Sequence, residues 1–345
     1  MSFSSEKFQL LNYKKEHAAL KERIGHVTAP DFEPLALEVF RFQAACNPLY
    51  QRYLELLRQP PEKVQRLSDI PFLPISLFKS YTIQTGDWQP EAIFSSSGTT
   101  GAISSKHLLR SKAFYQQSAR RGFETFYGSL KDYCVLALLP SYLERSGSSL
   151  VFMVEDFIRQ SGHPNSGFFL YNTGELLQIL QKCQKSQQPT LLIGVSFALL
   201  DLAEAHPTDL SGIIIMETGG MKGRRRELTR EELHAQLRQA FQVEQIHSEY
   251  GMTELLSQAY STGNGLFRAS PTMQVRTREI TDPFAQPVPG RTGALNIIDL
   301  ANLDTISFIA TDDLGRVHDD GSFEVLGRLD ASDVRGCNLM VADLK

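Results

Sequence analysis

Apolar residues recur at three- and four-residue intervals across residues 35–57 (Leu37, Val39, Phe40, Phe42, Tyr50, Tyr53, Leu56), with Glu, Arg and Gln between them. That is the spacing of helices with one buried face, and residues 5–65 read as mostly helical. The prolines of Gln59-Pro60-Pro61 and Ile70-Pro71-Phe72-Leu73-Pro74 remove backbone donors and break helices, so they read as a connector. From residue 90 short apolar runs alternate with helical patterns. The runs are Ala92–Phe94, Cys134–Leu139, Gly167–Tyr171, Leu191–Ile193, Gly212–Met216 and Val243–His247. The helical stretches are Ser111–Phe126, Leu150–Ser161, Gly174–Lys185, Phe197–Ala205 and Arg230–Phe241. This alternation predicts an α/β fold, a mainly parallel sheet with helices on both faces. Later runs (Gly263–Leu266, Gln274–Ile280, Gly293–Ile298, Ser307–Ala310, Gly321–Leu326) predict a smaller β-rich lobe. The expected divisions are a helical region over 1–85, an α/β core over 86–255, a β-rich lobe over 256–326, and a hinge with a short tail over 327–345.

Composition narrows the function classes. The 345 residues are 42% hydrophobic and 21% charged, as in a soluble globular protein. A net charge of -4 gives no footprint for nucleic acid, and the basic cluster Lys222–Arg226 fits a solvated loop as well as a phosphate site. The start of the chain lacks an apolar signal segment, and no apolar run is long enough to span a bilayer. Cys46, Cys134, Cys183 and Cys337 form no CxxC pair, so a reducing cytoplasm is expected.

One segment carries a chemical signal. Ile93 and Phe94 lead into Ser95-Ser96-Ser97-Gly98-Thr99-Thr100-Gly101-Ala102-Ile103-Ser104-Ser105-Lys106, with a helix following at Ser111. Small residues let backbone N–H groups approach an oxyanion, and hydroxyls and a lysine add donors and charge. Polyphosphate is the natural ligand. The spacing is not that of a Walker A loop, since Lys106 does not follow a glycine and is itself followed by His107. A GxGxxG fingerprint is absent too. A flexible Ser/Gly linker remains the alternative.

Four further segments follow in order. Glu217-Thr218-Gly219-Gly220 comes after an apolar strand and would let a flat base lie on the backbone, or would simply end the strand in a turn. In His247-Ser248-Glu249-Tyr250-Gly251-Met252-Thr253-Glu254, a Tyr can stack on a base, a Thr can bind phosphate and a Glu can hold Mg2+. The same residues also fit a capped loop. Ala310-Thr311-Asp312-Asp313-Leu314-Gly315 offers a carboxylate for ribose hydroxyls, or an acidic turn. Arg328, in Gly327-Arg328-Leu329-Asp330, offers a bidentate contact, or a solvated turn.

Together, the ordered set SSSGTTG…SK, YGMTE, TDDLG and GRLDASDVRG resembles the core motifs of the adenylate-forming superfamily. Ile70–Tyr81, Pro140–Val151 and Glu217–Arg225 look like one branch of it, the acyl-protein synthetase of bacterial bioluminescence fatty-acid reductase. Phenylacetate–CoA ligases are more distantly similar. The likeness spans roughly residues 60–340.

The resemblance implies ATP and Mg2+ as cofactors and a carboxylic, fatty acid as substrate. It implies the loop Ser96, Ser97, Gly98, Thr99, Thr100, Gly101 to Lys106 over the phosphates, and Glu217, Thr218, Gly219 and Gly220 beside adenine. Tyr250 and Gly251 would border the base, Thr253 the α-phosphate, Glu254 the metal, Asp312 and Arg328 the ribose, and Ser141–Ser149 the acyl chain. His107 borders the loop and could touch phosphate. The superfamily carries its catalytic lysine in a C-terminal domain after the GRxD hinge, and little sequence follows the hinge here. Lys106, Lys222 or Lys345, the loop with Mg2+, or a partner would have to serve. The expected reaction is acid plus ATP to acyl-AMP, then transfer to a thiol. Cys337, beside Arg335, is the candidate acceptor, or else a small buried hydrophobe. The resemblance leaves room for an acyl-accepting or reductase protein as partner. An acyl- or aryl-CoA ligase and a nucleotide-binding subunit without activity remain the alternatives. His163, His206, His234 and His247 read as surface or capping residues.

Overall fold

The computed structural model describes residues 3–96, 103–140, 147–170, 172–219, 228–280, 285 and 290–329, with side chains from Tyr13 onward. The chain opens with three helices, α1 (Phe3–His26), α2 (Ala29–Cys46) and α3 (Pro48–Leu56), where helical spacing predicted them. The proline connector carries a two-residue strand β1 (Leu73–Pro74) and a short helix α4 (Leu77–Ser80). Next comes a hairpin, β2 (Ala92–Ser95) and β3 (Lys106–Leu109), and then α5 (Lys112–Tyr127). The Ser111 hydroxyl caps α5 by accepting from the Phe114 N–H.

The α/β part alternates β4 (Cys134–Leu138), α6 (Ser149–Ser161), β5 (Gly167–Phe168), α7 (Thr173–Lys185) and β6 (Thr190–Val195). It continues through α8 (Ser196–Ala205), β7 (Ile214–Thr218), α9 (Arg230–Phe241) and β8 (His247–Tyr250). Strands β5, β4, β6, β7 and β8 pair in parallel in that spatial order. Every residue of β4 and β6 is buried, which is why both read as unbroken apolar runs. The sheet then turns antiparallel through β9 (Ala259–Ser261) and β10 (Leu266–Ala269). Beyond β10 lie β14 (Phe323–Arg328), β13 (Phe308–Val317), β12 (Gly293–Asp299) and β11 (Met273–Arg278). The strands of 256–326 thus continue the sheet of the α/β core through the β8–β9 pairing.

The N-terminal region is fastened to the far end of the chain. β1 pairs in parallel with β13. The buried Gln43 amide donates to the carbonyls of Asn302 (3.0 Å) and Leu303 (3.1 Å) and accepts from the Ser307 N–H (3.0 Å). Asp304 holds His17 at 2.7 Å and Arg110 at 2.8 Å. Among the described residues no helix is long and apolar enough to cross a membrane.

Candidate functional site

In a parallel sheet the carboxyl ends of the strands share one edge, and ligands bind in the crevice outside it. Two of the expected segments meet this edge, and a third begins at it. Glu217 and Thr218 end β7, followed by Gly219. Tyr250 ends β8, followed by Gly251, Met252, Thr253 and Glu254. β4 leads into residues 141–146, which lie outside the described residues, before α6. β6 leads into Ser196, whose hydroxyl donates to the Gly219 carbonyl at 2.6 Å.

The hydroxyl-rich loop is the connection of the β2–β3 hairpin, a second strand where the sequence suggested a loop running straight to a helix. Ser95 and Lys106 face each other in register. The Ser96 N–H donates to the Ser105 carbonyl (3.1 Å), and the Ser105 N–H donates to the Ser96 hydroxyl (2.9 Å). Lys106 is exposed. Ser97, Gly98, Thr99, Thr100 and Gly101 lie outside the described residues, as do Gly220, Lys222, Cys337 and Lys345.

His107 does not reach toward phosphate. It is 1% exposed, with Nδ1 at 2.8 Å from the Thr253 carbonyl and Nε2 at 3.0 Å from the Thr305 hydroxyl. A carbonyl only accepts, so Nδ1 carries the proton and Nε2 accepts from Thr305. Burial lowers its pKa to about 4, partly opposed by the bond to Thr253. His107 is therefore the bolt between the hairpin and the Tyr250–Glu254 segment. Thr253 is half-buried with its carbonyl fixed in this way.

Glu254 is buried, and its side chain is hydrogen-bonded to Ser105 at the base of the hairpin. Its own carbonyl accepts from the Asn302 amide at 2.8 Å. Burial raises the carboxyl's pKa, opposed by the Ser105 bond and the charges of Arg328 and Lys79. The buried Tyr250 hydroxyl donates to Asp313 Oδ2 at 2.7 Å, and Arg328 Nε lies 3.2 Å from Asp313 Oδ1. Burial raises the Asp313 pKa, held back by Tyr250 and Arg328.

Of the two adjacent carboxylates, it is Asp313 that joins this cluster. Successive residues of a strand face opposite ways. Asp312 is half-buried, and its charge acts on Arg278, whose guanidinium is bonded to Leu295, Asn296 and Thr311. The Thr-Asp-Asp triplet lies within β13 rather than in a turn, and Arg328 is the last residue of β14. Strand alternation from the apolar Phe308-Ile309 was the signal that would have separated the two.

The side chain of Glu217 turns toward α9. It accepts from the Ser196 hydroxyl (3.2 Å), with Arg230 at 3.4 Å and His234 at 3.6 Å. Burial pushes its carboxyl up, yet His234, Arg230 and Ser248 bring it below the ordinary value. His234, expected as a surface or capping residue, is buried against Glu217 and Ser248. Gly219 has a φ of 68°, the left-handed region that favours glycine. The Thr218 hydroxyl donates to Glu249.

A cavity of about 640 Å³ lies elsewhere, between the proline connector and β11, with Lys63, Phe72, Gln274 and Arg278 in its wall. It holds none of the expected site residues. Among the described residues no group of three or more His, Cys, Asp and Glu side chains could hold a metal by itself.

No protein-family model and no curated protein sequence matches this chain. Solved structures do. An open conformation of 2-hydroxyisobutyryl-CoA ligase, in complex with 2-HIB-AMP and CoA, superposes with a TM-score of 0.65 at 12% identity. That match covers 88% of this chain and 72% of that one. The same ligase in the thioesterification state gives 0.60 at 13%, covering 92% and 69%. ATP-bound MatB from Rhodopseudomonas palustris gives 0.52 at 18%, covering 69% of this chain and 48% of that one. This chain therefore spans about half the length of MatB. At these identities the likeness is one of fold: the chain has the α/β fold of the adenylate-forming enzymes, as its motifs implied.

Proposed function

We propose that this chain activates a carboxylic acid with ATP as an acyl-adenylate and passes the acyl group to a thiol. The observation that carries the reading is one continuous set of bonds along the sheet's carboxyl edge. Ser105 meets Glu254, His107 holds Thr253, and Tyr250 and Arg328 meet on Asp313. Four segments far apart in sequence thus come together, where nucleotide-binding residues would have to stand.

The roles follow from position. Thr218, Gly219 and Tyr250 border the base. Asp313, already accepting from Tyr250, takes the ribose hydroxyls with Arg328 beside it. The hairpin loop and Lys106 cover the β- and γ-phosphates, and Thr253 faces the α-phosphate. A single buried carboxylate such as Glu254 suits Mg2+, which keeps most of its ligands as water and phosphate oxygens. Bound there, Mg2+ would offset charge on the departing diphosphate. The acid's carboxylate oxygen attacks the α-phosphorus, and the bond to the bridging oxygen breaks as pyrophosphate leaves. A thiolate then attacks the acyl carbon, the acyl–oxygen bond breaks, and AMP leaves.

The resemblance points to a fatty acid and to Cys337 as the acceptor. Coenzyme A is the second reading, because the ligase structures with this fold were solved with CoA. ATP–pyrophosphate exchange across a panel of carboxylic acids tests the first step, and no exchange with any acid rejects the proposal. Mass spectrometry of the protein then separates the acceptors. A hydroxylamine-sensitive adduct lost in Cys337→Ser, with exchange retained, supports the cysteine. AMP formation that depends on CoA, without an adduct, supports the coenzyme.

A further inference from the structure

β8 presents Tyr250 to the nucleotide cluster, and the residue before it faces the opposite side of the sheet. That residue, Glu249, is 8% exposed. Its register partners are Thr218 on β7 and Tyr260 on β9. The Tyr260 ring packs on Phe123 of α5 at 6.0 Å, and Tyr115 of α5, whose pKa is raised by burial and further by the Glu249 charge, bonds the Ser149 carbonyl at 3.2 Å. Ser149 closes the 141–149 stretch expected at the acyl chain.

The polar groups here are incompletely paired. Glu249 accepts from the Thr218 hydroxyl, and no salt bridge reaches it among the described residues. Glu217, facing the other way, has both Arg230 and His234. The Tyr260 hydroxyl and Gln258 Oε1 are buried without a hydrogen-bond partner among the described residues. Gly251 joins them: a Cβ there would lie 2.5 Å from Glu249 Oε1 and 3.5 Å from Gln258 Cγ. The backbone between Tyr250 and Thr253 is thereby pressed against these groups. Leaving a buried donor or acceptor unpaired costs about 1–3 kcal/mol, more for a charged one. A hydrocarbon chain laid here would keep that cost, and a hydrogen-bond donor would remove it.

The geometry points to a polar subsite in which Glu249, Gln258 and Tyr260 receive a hydrogen-bond donor, a hydroxyl or an amino group, on the acyl part of the acid. This rests on the adenylation reading above. It makes the substrate a hydroxy or amino acid in place of a plain hydrocarbon acid.

The experiment is ATP–pyrophosphate exchange with short and medium straight-chain acids, each offered unsubstituted, hydroxylated and aminated. The expected result is a kcat/KM at least about tenfold higher for a hydroxylated or aminated acid than for its parent. Which arm responds names the donor. Tyr260→Phe removes a hydroxyl that holds nothing among the described residues, so it should fold and lose part of that preference. Glu249→Leu should abolish the preference. Parent acids turned over as well as their substituted forms would overturn the subsite and leave adenylation standing. A preference unchanged in Tyr260→Phe and Glu249→Leu would do the same. Exchange with no acid at all would remove both.

Discussion

Acidification from about pH 7.5 to about pH 5 sets two buried groups of this chain against each other. His107 has an ordinary pKa of 6.5 and is held at about 4. Below 6.5 the unfolded chain takes up a proton that the folded chain refuses, so this stability is present above 6.5 and lost as pH falls toward 4. Over the interval the loss is about 2 kcal/mol. Glu249 has an ordinary pKa of 4.5 and is raised to about 7, chiefly by burial and also by Glu217, against the Thr218 bond. Its folded carboxyl keeps a proton that the unfolded chain has released, so its stability is present below 4.5 and lost as pH rises through 7. On acidification it returns about 2 kcal/mol. In the native chain the two contributions nearly cancel. His107→Phe, whose ring can meet Phe78, should therefore become more stable by about 2 kcal/mol toward pH 5, relative to the native chain. Glu249→Gln should lose about as much relative to it. Urea unfolding followed by the fluorescence of the single, buried Trp88 measures both. Should His107→Phe not fold, proton NMR of the native chain serves instead, where the His107 ring should not titrate above about pH 5. Stability curves of both variants running parallel to the native one, or a His107 ring titrating near 6.5, would refute the burial argument.

Three other outcomes follow from the site and its frame. Asp313→Asn should raise the KM for ATP by about tenfold or more, through the weakened bonds to Tyr250 and Arg328, while Asp312→Asn changes it by less than about threefold. Exchange kinetics at saturating acid check this. Glu254→Gln should raise the Mg2+ concentration for half-maximal exchange by at least about tenfold with little change in urea midpoint, since a neutral amide replaces a buried carboxyl. Thr229→Ala breaks the capping box that Thr229 and Glu232 make at the start of α9 and should cost about 1 kcal/mol in urea unfolding.

Four of the five helices from Ser111 to Phe241 were legible because each buries one face, the helix Ser196–Ala205 because it is an apolar run buried on nearly all sides, and β4 and β6 because both faces of each are covered. What escaped was polar strand. Val243–His247 looked like the strand on the strength of Val243 and Ile246, but the ladder uses His247-Ser248-Glu249-Tyr250. Those side chains find Tyr127, His234, Thr218 and Asp313 across the sheet, partners that no local pattern announces. Lys106–Leu109 was missed as a strand because its hairpin loop is long, and Asp312 was named for the ribose from the resemblance, with no register to set it apart from Asp313. The segments at the site were found from their residue types. Which side chain of each faces inward depended on register, which a single chain does not display.

The fastening of α1 and α2 to residues 302–307 has a consequence for the order of events on the ribosome. Gln43 emerges 259 residues before Asn302, and His17 287 residues before Asp304. At 5–20 residues per second the first helices wait about 13–57 s for the loop that completes them. Through that time the Gln43 amide and the side of Phe40 that meets Phe308 have no native seat. The nascent N-terminus is the stretch a chaperone would be called on to hold, and a ribosome stalled before residue 302 would release a chain whose opening helices cannot dock.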